Sequence, residues 1–84
     1  MLTNKLVKIR NFAFYLKGVM EDNYVPLLKN NLSYATKIYN YLSDILSKEV
    51  SLDTDKVEVF YNKSLKDLNE IEYNLKRLGC RQAA

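Results

Sequence analysis

The side chains that most often carry out chemistry are nearly missing from this sequence. It holds no histidine, and so no group that trades a proton near neutral pH and none of the commonest metal ligand. Its single cysteine is Cys80; it stands alone near an end expected to fray, with no histidine to act as its base, so it does not read as a nucleophile. One cysteine also rules out an internal disulfide. Cys80 is then a free thiol or an intermolecular link, and a reducing, cytoplasmic setting is the simplest expectation. On a helical wheel the carboxylates Asp44, Glu58, Glu70 and Glu72 project to solvent faces or seam edges, not inward together as the ligands of a diiron bundle do. Asp53-Thr54-Asp55 begins like a calcium loop, but no glycine stands at the sixth position and no glutamate closes a twelve-residue loop. That triplet reads instead as the cap of a helix. With no glycine-rich phosphate loop either, the sequence points away from an enzyme and requires no metal and no cofactor.

What remains is the chemistry of binding. Seven of the ten aromatic residues are tyrosine, a residue suited to interfaces because it buries area while keeping one polar end. Tyr34 and Tyr41 stand seven apart at the edge of one helix, and Tyr73 and Val59 project to the outer side of another. Val7 and Phe14, also seven apart, form a second apolar strip on the first helix, with Tyr15 beside the main stripe. The expected partner-binding residues are therefore Val7, Phe14, Tyr15, Tyr34 and Tyr41. The expected partner is another protein or a second copy of the chain, as a homodimer. A plainer reading stands beside this one: boundary tyrosines keep their hydroxyls in water, and the stripe on the first helix is wide because the third helix also packs there.

The rival is nucleic-acid binding through Lys5, Lys8, Arg10 and Lys17, with tyrosines stacking on bases. Those four cations scatter over most of a helical turn instead of lining up. A further cluster, Lys76, Arg77 and Arg81, is explained by the negative end of a helix dipole.

The elements that must position these residues are three helices, predicted over about 4–23, 26–49 and 54–78, followed by a frayed tail over 79–84. In the first, Thr3 is the expected N-cap, and Leu2, Leu6, Ile9, Phe12, Ala13, Leu16, Val19 and Met20 make one apolar stripe. Asp22 to Pro26 breaks the chain, since proline disfavours helical geometry before it and suits the first turn after it. The second helix carries two apolar rows. Leu28, Leu32, Ala35, Tyr39, Leu42 and Leu46 form one, and Leu27, Tyr34, Ile38, Tyr41 and Ile45 the other. Rows covering about half the circumference exceed the ~100° stripe of a helix resting on one neighbour, so this helix is expected to be central and to touch both others. Ser51 or Asp53 caps the third helix, whose line Val57, Tyr61, Ser64, Leu68, Ile71, Leu75 and Leu78 keeps a seven-residue repeat, with Phe60 and Leu65 at its flanks. Gly79 suits the left-handed residue just past its end.

Short links between matched helices give an antiparallel, up-down-up three-helix bundle, all-α and one domain of 84 residues. A chain of this size buries only about 60–65% of its unfolded surface, so self-association that completes the core is a natural expectation. No stretch reaches the ~18 apolar residues of a membrane span, and Lys17 interrupts the apolar opening before any signal-type cleavage site. The net charge of +3 is uneven: residues 1–42 hold six cations against Glu21 and Asp22, and the rest hold seven against eight acids. That bias is mild and ordinary for a small domain.

In size, class and the AT-rich codons implied by its Lys, Asn, Tyr and Ile content, the chain is similar to small helical accessory proteins of phages, plasmids and viruses that inhibit a host machine. It is also similar in size and class to bacteriocin immunity proteins. The likeness rests on no motif, and implies a non-enzymatic accessory, inhibitor or assembly factor.

Overall fold

The computed structural model describes residues 2–23, 26–48 and 52–80. Three helices order the chain: α1 (Leu2–Asp22), α2 (Lys29–Leu46) and α3 (Thr54–Arg77), with a 3-10 turn at Pro26–Leu28 leading into α2. Contacts along their lengths fix the topology. Near the start of α1 and of α3, Lys5 meets Glu58; near their ends, Tyr15, Leu16 and Val19 meet Leu75 and Cys80. These two helices therefore run the same way. Leu6, early in α1, faces Leu42 and Ile45, late in α2, so α2 runs opposite to both and the bundle is up-down-up. Its extents are 40 × 21 × 20 Å, the long one close to the ~36 Å of a 24-residue helix.

The central position belongs to α1, not to α2 as the wheel predicts. α1 packs closely on α2 and also on α3, while α2 and α3 hardly approach each other. The buried line of α1 is Leu6, Ile9, Ala13, Leu16 and Met20, spaced three and four apart like a bundle seam. Ala13, and Ala35 on α2, are fully buried; a methyl at each lets backbones close up. The row of α2 that faces α3 carries Tyr34 and Tyr41 instead. A ring there is bulky, and its hydroxyl needs an acceptor or water, so tyrosines hold α2 and α3 apart.

The helix ends follow local chemistry, with several departures from expectation. α1 already includes Thr3 in its first turn, so Thr3 is not the cap. Both the backbone and the side-chain amide of Asn23 donate to the Val19 carbonyl, which closes the helix where the proline break is expected. α2 starts with a tight 3-10 turn because Pro26 fixes its own φ, and no side chain caps it. It ends at Leu46, where Ser47 N–H bonds the Ser43 carbonyl and Ser47 Oγ donates to the Asp44 carbonyl. Asp53 is the cap of α3, accepting from the amides of Asp55 and Lys56 at 3.0 and 3.2 Å. Ser51, Glu49, Tyr24, Val25, Arg81 and the side chains of Leu2 and Leu27 lie outside the described residues.

The end of α3 is ordered further than a frayed tail would be. Gly79 takes φ +73°, Cys80 N–H bonds the Leu75 carbonyl and Gly79 N–H bonds the Lys76 carbonyl. This is the complete Schellman arrangement, and Cys80 tucks against the core. Leu78, expected on the seam, falls at the cap and is half exposed. The remainder of the α3 line is buried at Val57, Ser64, Leu68, Ile71 and Leu75. Among the described residues no helix is long and apolar enough to cross a membrane.

Candidate interaction surface

The loose α2–α3 seam divides into a polar upper part and an apolar lower part. In the upper part, Tyr34 Oη donates to Asp67 Oδ2 at 2.7 Å, and Ser64, 2% exposed, lies beside the same phenol. Burial first, then the hydrogen bond and the negative charge of Asp67, push the Tyr34 phenol up from 10.0 to about 12, because each disfavours a phenolate. Ser64 and Asp67 sit one turn apart on α3, so a single tyrosine bonded to Asp67 also reaches Ser64 and pins the two helices at that level. Ser64 is the one polar member of the apolar line, the only hint of this cluster in the sequence; Asp67 carries no signal of its own.

Towards the other end the seam opens into a cleft of about 470 Å³. Leu6, Leu42 and Val57 form its floor, and Tyr41, Ile45, Leu52 and Phe60 its walls. Tyr41 and Phe60 pair across it with centroids 5.5 Å apart and planes tilted by 51°, a favoured edge-inclined geometry. Even so, Tyr41 is 55% exposed, and Val59, beside Phe60, is 68% exposed. Asp53 and Lys56 stand on the rim.

The five residues expected to bind a partner do not form one patch. Tyr41 belongs to the cleft and Tyr34 to the polar cluster, its hydroxyl engaged inside the chain. Phe14 lies on the far flank of α2, with its ring 5.1 Å from that of Tyr39 and tilted by 37°. Tyr39 and Tyr41 diverge by about 160° around the helix, so these two aromatic pairs face opposite ways. Phe14 leans on α2, not on α3, and is itself 55% exposed. Val7 is half-buried beside Asn4, Lys5 and Lys8 in a shallow depression. Tyr15 is half-buried against the core near the end of α3.

The four cations of the rival reading are likewise separated. Lys5 Nζ meets Glu58 Oε1 at 2.6 Å and lies 5.2 Å from the Tyr61 ring centroid. Lys17 pairs with Glu21 at 3.0 Å, Arg10 leans on Asn11 at 3.3 Å, and Lys8 is exposed. Two of the four thus face carboxylates of their own chain. At the end of α3, Arg77 stands 5.9 Å from the Tyr73 ring centroid.

No protein-family model matches the chain, and neither the curated proteins nor the solved structures contain a match. Among the described residues no group of three or more His, Cys, Asp or Glu is placed to hold a metal ion. What the cleft offers is an apolar concavity walled by two aromatic rings, open to solvent, and edged by single charges. Such a surface is shaped and lined to take apolar side chains.

Proposed function

We propose that this chain is a non-enzymatic binding module that works by docking protein surface onto the lower α2–α3 seam, in the manner of an accessory or assembly factor. The observation that carries the reading is the exposure of Tyr41 and Val59 at 55% and 68% beside Phe60 and an apolar cleft. An exposed ring on an apolar cleft and an exposed valine on the depression adjoining it cost free energy in water, and a partner that covers them recovers about 25 cal/mol for each Å² of apolar area. Tyrosine and phenylalanine at the centre with charges at the edge is also how protein interfaces are arranged.

Nucleic-acid binding has less support, because Lys5 and Lys17 are neutralised locally. It would need an affinity that falls steeply with salt.

The test pairs two substitutions, Phe14→Ala and Tyr41→Ala, made singly and together. Association is read by light scattering across concentration and by crosslinking, and helical content by circular dichroism. Tyr41→Ala is expected to weaken association several-fold with helicity unchanged, and Phe14→Ala, on the far flank, to leave association as it is. Wild-type protein that binds neither itself nor another protein, or helicity that collapses in Tyr41→Ala, would overturn the reading.

A further inference from the structure

We infer that the occupant of this surface is a second copy of the chain, joined through α3 about a two-fold axis at Val59; the inference rests on the binding-module reading above. Asp55, Val59 and Lys63 are spaced four apart on α3, together with Lys56 and Phe60 around a shallow depression that shares Lys56 and Phe60 with the cleft. Residues four apart make one of the two natural ridges of a helix surface, and two such ridges pack against each other at a crossing of about 50°. Placing two copies of this ridge antiparallel sets Val59 against Val59 and Asp55 of each copy against Lys63 of the other. The two charges lie about 12 Å apart along the helix, one on each side of the apolar centre. A two-fold operation therefore makes two opposite-charge pairs and no like-charge pair.

Three further features favour a copy of the same chain over a partner of other chemistry. Asp55 and Lys63 are exposed, and no ion pair within the chain engages either among the described residues. The described rim residues Asp53, Asp55, Lys56 and Lys63 sum to zero charge on a chain of net +3. A neutral patch of mixed sign is the part of such a surface where two like-charged molecules meet without repulsion, and it offers nothing to a strongly acidic or basic partner. Finally, α3 brings the Tyr41–Phe60 pair of each copy to the flanks of the contact, so the apolar area left open in one chain is covered symmetrically.

The pairing predicts an outcome that a generic sticky face does not. Asp55→Lys alone and Lys63→Asp alone each place two like-charge pairs in the homodimer, and each is expected to raise the dissociation constant at least about tenfold. Mixed in equal amounts, the two variants regain both opposite-charge pairs, and a heterodimer forms with close to wild-type affinity. The same chain carrying both substitutions also dimerises. Sedimentation equilibrium of the full chain, with one variant mass-labelled, reads all four states, and circular dichroism verifies that these exposed positions leave the fold intact. A wild-type chain that stays monomeric to millimolar concentration overturns the inference, as does a dimer indifferent to both charge changes or a mixture that fails to pair. In the indifferent case, loss of the dimer in Tyr41→Ala would still leave the binding-module reading standing.

Discussion

The two seams flanking α2 are built from the same helix and behave in opposite ways. Towards α1, α2 presents Ala35 and Leu42, following Leu28 at the end of the 3-10 turn, all at most 4% exposed, and the backbones approach closely. Towards α3 it presents Tyr34, Tyr41 and Ile45, and the helices stay apart with a cleft between them. Both rows look apolar on a wheel. The difference is that alanine and leucine need only contact, whereas a tyrosine also needs a partner for its hydroxyl and room for its ring. A closed seam stabilises the fold, and an open one leaves surface for another molecule.

Five substitutions would break or sharpen that contrast, and chemical denaturation reads each. Leu16→Ala, in the fully buried line of α1, should cost about 2–5 kcal/mol; Ile45→Ala on the open seam should cost clearly less, and equal losses would erase the distinction. Ala13→Leu should cost about 1–3 kcal/mol by wedging apart helices that a methyl keeps close. A neutral result would mean that α1 does not depend on small residues to approach its neighbours.

Tyr34→Phe should cost about 0.5–1.5 kcal/mol by removing the bond to Asp67. It should also change the pH dependence. The folded phenol titrates near 12 against 10.0 when unfolded, so folding favours the protonated form. The stability it contributes is complete below pH 10 and is lost as pH rises towards 12. Phenylalanine at this position should remove that alkaline loss, and a phenolate absorbance titration should lose its highest-pH component. Lys5→Ala, at a half-exposed ion pair, should cost no more than about 1 kcal/mol.

Much of this architecture was legible from periodicity, because burial selects apolar residues at fixed angles. The α3 line from Val57 to Leu75 and the α1 line from Leu6 to Met20 both read directly. Which helix is central did not, since the wheel counts apolar area without weighing what a hydroxyl demands; Tyr34 and Tyr41 therefore made α2 look two-sided. Thr3 and the tail misled for local reasons. A threonine also fits within a first turn, and Gly79 with Cys80 completes a cap whose hydrogen bonds depend on three-dimensional closure. For the surface, Tyr41 and Val59 were readable as outward-facing, while Phe60 reads only as a flank of the α3 line. The partition of Val7 and Phe14 from Tyr41 was not, because opposite flanks of α2 become distinct only once α1 and α3 are placed. The Tyr34–Ser64–Asp67 cluster joins Tyr34 to residues 30 and 33 positions further on, and no local pattern encodes it.

The claim on which the account depends is that the lower α2–α3 seam is the surface at which this chain meets another. Amide nuclear magnetic resonance spectra recorded from dilute to concentrated protein test it residue by residue. The account predicts shifts that grow with concentration at Tyr41, Asp55, Val59, Phe60 and Lys63, with Phe14 and the centre of α1 unmoved. Shifts centred on α1 instead, or spectra that do not change at any concentration, would contradict it.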